Sequence, residues 1–338
     1  MSWFTTLFSS DKPPVADPQI IDIVEQAINV VDPRIRAVDN YQKILLPAAK
    51  KAWEHVCNIT RHMPEPTVVA AEQWANTPIL RALFATPSDI NAILSQSQEL
   101  QDWSGTLDGK LHPTPTALLV VQRQEITRLG VVTEGDSVRH DVPQKTISFK
   151  EHRVVCPVVT PSGLRREIKR RALHQIFLRA LDSIQAILAE RQQLEEQRNM
   201  LQNRLRLLQQ QRGELSDLLQ SFNPTTPPPA ELAAQLAENV DVLMKNRASL
   251  DTLDDYLHLL ADTLNQSSDV LIGNRVSLNI NSMNIIEPSG TANTNPIELT
   301  DVTIKRANSF TITVVPIIYD VRQLEQPHCN LENAERYL

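Results

Sequence analysis

Leu173, Ala180, Ile187, Leu194, Leu201, Leu208, Leu215 and Phe222 stand seven residues apart without an exception. An apolar heptad of this length is satisfied by a helix that lies along a second helix, because 3.5 residues per turn keeps one seam facing the partner. Four residues further on, the companion positions read Phe177, Ile184, Arg191, Arg198, Leu205, Arg212 and Leu219, an interrupted second seam. No proline occurs between Leu164 and Phe222. At 1.5 Å per residue such a helix would be about 90 Å long.

The run Asn223-Pro224-Thr225-Thr226-Pro227-Pro228-Pro229 ends it, since proline lacks the amide donor and clashes with the preceding turn. A second seam follows in Leu236, Leu243, Leu250, Leu257 and Leu264. The pattern predicts an antiparallel coiled-coil hairpin over residues 164–267. Charge favours pairing of its arms. Between Leu164 and Phe222 eleven basic residues outnumber seven acidic ones, whereas Ala230–Ser267 carries seven acidic residues against Lys245 and Arg247. Folding the chain back at Thr226 would set Arg198 beside Asp254, a polar seam pair of the kind that fixes register. The long arm also outreaches the short one, so the apolar face of Leu164–Gln185 needs a cover from elsewhere.

The flanks differ in character. Asp17-Pro18 and Asp32-Pro33 each place a capping acceptor before a proline at the first helical position. Apolar residues then recur at helical spacing, with Pro47 expected to kink or end the second helix. Glu65-Pro66 and Thr86-Pro87 read as two further helix starts, and Leu100–Gly109 as the exit from a helical bundle over 17–110. From Pro113 the pattern changes to period two and β-branched residues, which predicts several short strands. Strand patterns return after the hairpin in 276–281, 299–305 and 310–318, the last two joined at Ala307-Asn308. The expected fold class is therefore α+β: a segment 1–16, a helical bundle 17–110, a first β segment 111–163, the hairpin 164–267, a second β segment 268–325 and a tail 326–338. Strands on both sides of the hairpin favour one β unit interrupted by it.

Composition narrows function mostly by exclusion. A formal charge of −7 disfavours nucleic acid as a partner of the whole chain. Eight glycines leave little material for phosphate-cradling loops, and no GxxxxGK[ST], GxGxxG, GxSxG or HExxH motif occurs. Three separated cysteines, Cys57, Cys156 and Cys329, suit neither a disulfide framework nor a structural zinc. His55, His62 and Cys57 give too few convergent groups for a metal. His140, Asp141, His152 and Cys156 imitate a nucleophilic constellation without a reason to converge. No catalytic, metal or cofactor site is expected, and no apolar run reaches the ~18 residues of a membrane span.

Two segments carry the expected contacts. Arg165, Arg166, Lys169, Arg170 and Arg171 sit at a helix start, where the dipole opposes cations, which points to an anionic partner, the alternatives being a solvated face or pairing with acids of the bundle. Trp3, Phe4 and Phe8 recur at helical spacing and could enter a membrane interface. The expected function is that of a cytoplasmic, non-enzymatic scaffold that self-associates and binds protein partners through the hairpin. The alternatives are a peripheral protein on an anionic membrane surface and an enzyme with unfamiliar motifs.

Overall fold

The computed structural model describes residues 18–134, 137–211, 229–288, 294–306 and 308–325. Helix and strand are both extensive, in keeping with the α+β class. The chain divides into two compact units, one made of the described residues in 18–52 and 176–266, the other of those in 53–175 and 267–325. Residues expected to form one bundle over 17–110 are thus shared between the two units.

In the first unit α1 (Pro18–Val31) buries Ile20, Ile23, Val24, Ala27 and Ile28, a stripe set by its 3.6-residue period. Asp32 caps the next turn as expected, accepting from the Arg34 amide at 2.9 Å, but that turn is a short 3₁₀ helix, Pro33–Ala37. The chain then reverses at Asn40, whose φ of 60° is tolerated by a side chain of this type. There α2 (Tyr41–Arg61) begins, and it continues through Pro47 rather than ending there. A mid-helix proline costs one backbone hydrogen bond. Leu45, Ala48, Ala49 and Ala52 on the same helix are all buried, which offsets that loss.

The hairpin arms are α7 (Pro161–Gln211) and α8 (Pro229–Ser249), followed by α9 (Leu253–Asn265). The second arm is two helices rather than one. The Thr252 hydroxyl and the Asp255 carboxylate form a reciprocal capping box that starts α9 afresh. Within the first unit the arms run antiparallel. Asn239 donates to Gln197 Oε1 at 3.4 Å and Asn246 to Glu190 Oε2 at 3.0 Å. The heptad seam faces inward: Ala180, Leu243, Leu250, Leu257 and Leu264 are buried, and Ile187, Leu194, Leu201 and Leu208 half-buried. The proline turn at 224–228, with Leu215 and Phe222, lies outside the described residues.

The second unit is a sheet carrying short helices α3 (Pro78–Leu83), α4 (Pro87–Leu94), α5 (Gln98–Gly105) and α6 (Leu107–Leu111). The Thr86-Pro87 start is a full capping box with Asp89. Glu65-Pro66, in contrast, leads into strand β1 (Thr67–Val68), and Leu100–Gly109 is helical rather than an exit. The several short strands expected from 113 to 159 are two long ones, β2 (Thr116–Glu134) and β3 (Ser137–Val158). The interruptions seen as turns are bulges. Register shifts occur at three places, each with a non-glycine residue of β3 in the left-handed region: Asp141 (φ 60°), Glu151 (φ 53°) and Cys156 (φ 59°).

After the hairpin and the short α10 (Ser267–Val270) come β4 (Leu271–Ile280), β5 (Ile285–Ile286), β6 (Asn295–Lys305) and β7 (Ser309–Ile318). Pairing runs β7-β2-β3-β5-β4-β6 and back to β7, a closed barrel, with β1 added parallel to the end of β7. The two β segments therefore share one sheet. The β6–β7 turn falls where it was expected, with Lys305 opposite Ser309; Ala307 itself is outside the described residues. One apolar cluster unites sheet residues such as Leu119, Phe149, Leu299 and Val315 with Leu80, Phe84, Ile90 and Leu100 of the helices. A second joins Leu118, Cys156 and Val314 of the opposite face to Met63 and Leu164. The chain approaches closely where α2 crosses β4: a Cβ on Gly273 would lie 2.4 Å from Ile59, so only glycine fits.

Candidate functional site

The basic start of α7 is held by carboxylates of its own unit. Arg165 reaches Glu65 at 2.7 Å, and Arg170 reaches Glu167 at 2.6 Å, one turn along the helix. Arg171 grips Glu99 of α5 with both terminal nitrogens, at 3.0 and 2.9 Å, and gives its Nε to Glu167 at 3.0 Å. Lys169 lies over the Trp53 ring, 5.2 Å from its centroid. Of the five cations only Arg166 is exposed without an ion pair among the described residues. Hydrogen bonding from Arg170 holds the Glu167 carboxyl below its ordinary range, with Arg171 adding to it. The same partnership raises the Arg171 guanidinium, first through Glu99. Three carboxylates and one aromatic ring thus engage four of the five cations at the helix start.

Glu99 does a second task. Its Oε2 accepts the amide of Cys156 at 2.7 Å, the left-handed residue of a β3 bulge. The Cys156 thiol is buried, and burial pushes it up to about 12. His152 hydrogen-bonds the Leu83 carbonyl at 2.7 Å and stacks on Phe84. Burial lowers its pKa. His140 and Asp141 are exposed near the other end of β3. These four residues do not gather into one group: the Cys156 thiol is buried, the His152 imidazole is engaged with backbone, and His140 and Asp141 are exposed further along β3. His55 and His62 likewise give a ring nitrogen to backbone carbonyls, of Leu271 and Asn58, both at 2.7 Å. Among the described residues no group of three His, Cys, Asp or Glu is placed to hold a metal, and no helix is long and apolar enough to cross a membrane.

Sequence reading missed a polar cluster on the sheet. Asp301 on β6 accepts Arg123 of β2 at 2.6 Å and the Thr313 hydroxyl of β7 at 2.7 Å, while Arg123 also meets Glu125 at 3.2 Å. Period two was the available signal. Arg123 shares a face with buried Leu119 and Val121, Asp301 with Ile297 and Leu299, Thr313 with Val315 and Ile317.

The hairpin supplies the remaining candidate. Gln197 facing Asn239 and Glu190 facing Asn246 define one register, which continues to set Arg198 level with Glu238. The expected Arg198–Asp254 pair is therefore replaced: Arg198 donates to Asn199 at 3.4 Å, and Asp254 lies in the first turn of α9, beyond the break in the arm. Arg247 pairs with Glu195 across the arms at 2.7 Å. Between the arms opens a groove of about 740 Å³ floored by Leu194, Leu201 and Val242. Trp3, Phe4 and Phe8 lie outside the described residues.

No protein-family model, curated protein or solved structure matches this chain.

Proposed function

We propose that the chain is a non-enzymatic structural or adaptor protein that self-associates through the α7–α8 hairpin and offers its sheet-bearing unit to protein partners. One observation carries this reading. From residue 185 to 208 no α7 side chain is buried, although the heptad continues throughout. Two helices alone leave such a seam half open, and bundles close it with further helices. Engagement of the basic cluster by Glu65, Glu99, Glu167 and Trp53 weighs against the membrane-surface alternative. A cytoplasmic location accompanies the proposal, since the free Cys57 and Cys156 suit a reducing compartment. Light scattering after size exclusion tests it: a mass of two or more chains at micromolar concentration is expected, and a monomer throughout would overturn it.

A further inference from the structure

The groove between the arms has a charge pattern that matches itself. In the described part of α7 from Gln197 onward, Arg198, Arg204 and Arg206 stand without an acidic residue. Opposite them, α8 from Pro229 to Met244 carries Glu231, Glu238 and Asp241 without a basic one. Arg204 lines one wall of the groove and Glu238 the other. Both are exposed, and neither makes an ion pair among the described residues. The antiparallel register explains why. It sets Arg204 level with Leu232, six residues from Glu238 along α8, about 9 Å at 1.5 Å per residue.

Two more observations point to an occupant. Met200 and Leu207, both in the groove lining, are 68% and 59% exposed, far more than heptad neighbours in a closed seam. Asn239, among the residues lining the groove, is buried, donates to Gln197, and keeps its own Oδ1, shielded from solvent, with no donor. A buried amide oxygen without a partner is costly, and a polar residue in a coiled-coil seam selects the register of whatever packs there.

We infer that the groove is filled by the same groove of a second copy, related by a twofold axis perpendicular to the arms, with Arg204 of each chain level with Glu238 of the other. Such an interface is isologous, so one contact occurs twice. The twofold turns the six-residue offset within one chain into coincidence between two, and the four arms make an antiparallel bundle. The exposed Met200 and Leu207 enter its core. This inference rests on the self-association proposed above and adds the face, the symmetry and the paired residues.

Charge reversal tests it on the full chain. R204E and E238R each place like charges at both contacts, and each is expected to raise the dimer Kd by about tenfold or more. Mixing equal amounts of the two variant chains puts opposite charges at both contacts and should restore a dimer near the native Kd. Both sites are exposed, so the far-ultraviolet circular dichroism spectra of the variants should match that of the native protein, while their melts fall only by what the lost association contributed. A third variant, L207E, should dissociate the dimer without rescue by either charge variant. A monomeric native chain would overturn self-association itself. A native dimer that neither charge variant weakens, or that mixing fails to restore, would overturn this face and symmetry while leaving self-association standing.

Discussion

Arg171 and Glu99 are joined by two hydrogen bonds of 3.0 and 2.9 Å, and the same carboxylate receives the amide of Cys156 at 2.7 Å. One side chain of α5 thus serves a helix start and a strand bulge together. The ion pair is about 40% exposed and contributes little by itself. The amide matters more. Removing its acceptor leaves a half-buried N–H unpaired, at a cost of about 1–3 kcal/mol. Glu99→Ala is expected to lower stability by that amount in urea unfolding, and Glu99→Gln, which keeps an acceptor oxygen, by less than half as much.

The Cys156 thiol, pushed up to about 12 by burial, is a poor nucleophile at neutral pH. Native-state alkylation at pH 7.5 should modify half-buried Cys57 well before Cys156, and peptide mapping reads the order directly. Equal rates would mean that the bulge opens freely.

At Glu151 the backbone holds a non-glycine side chain at a φ of 53° on an exposed bulge. That conformation costs an L-residue roughly 1–2 kcal/mol. Glu151→Gly should raise the unfolding midpoint slightly, because strain relief exceeds the added unfolded-state entropy. Glu151→Val should lower stability by about 1 kcal/mol, since branching at Cβ aggravates the clash.

Burial lowers the pKa of His152. The unfolded chain then binds a proton more readily than the folded one, so stability rises with pH through this group. Its contribution is complete above the unfolded value of about 6.5 and is lost as pH falls below it. His152→Gln should flatten the dependence of the urea midpoint between pH 7.5 and 5.5.

On the sheet, Arg123 and Asp301 form a largely buried pair, with side chains 20% and 10% exposed. Truncating one partner strands the other, so Asp301→Ala should cost about 3 kcal/mol. Arg123→Met combined with Asp301→Leu should recover most of that loss, and Thr313→Val should cost about 1 kcal/mol through its lost hydrogen bond.

The seam of the hairpin was legible because a seven-residue period survives any context: Leu243, Leu250, Leu257 and Leu264 are buried in the order the heptad predicts. Its register was not. The proline run suggests where a helix stops, but the pairing depends on side-chain contacts such as Asn239 with Gln197, which no period encodes. Thr86 and Asp89 announced α4 because a capping box is local chemistry. Glu65-Pro66 failed because proline opens strands and turns as readily as helices, and here the parallel pairing of Thr67 with Ile317 decided. The long strands looked short since a bulge and a turn disturb alternation alike. The basic cluster was found, but its carboxylate on α5 lies 72 positions away in sequence, beyond the reach of any local pattern.

Among the described residues, the barrel closes between β3 and β4 through β5. Ile285 and Ile286 pair with Thr146 and Lys145 on one side, and Ile286 pairs with Ile280 on the other. Asn281 shapes the approach, accepting the amides of Met283 and Ile285 at 2.9 and 3.1 Å. Backbone bonds from Ile147 to Asn284 and from Glu287 to Asn279, both 2.9 Å, extend the junction by a residue on either side, so mechanically the ring is a wide sheet fastened by a short clasp. Breaking so few bonds costs far less than global unfolding. Amide exchange should therefore enter at Ile285 and Ile286 while the β2–β3, β2–β7 and β4–β6 ladders stay protected, and the barrel would breathe at that seam without coming apart.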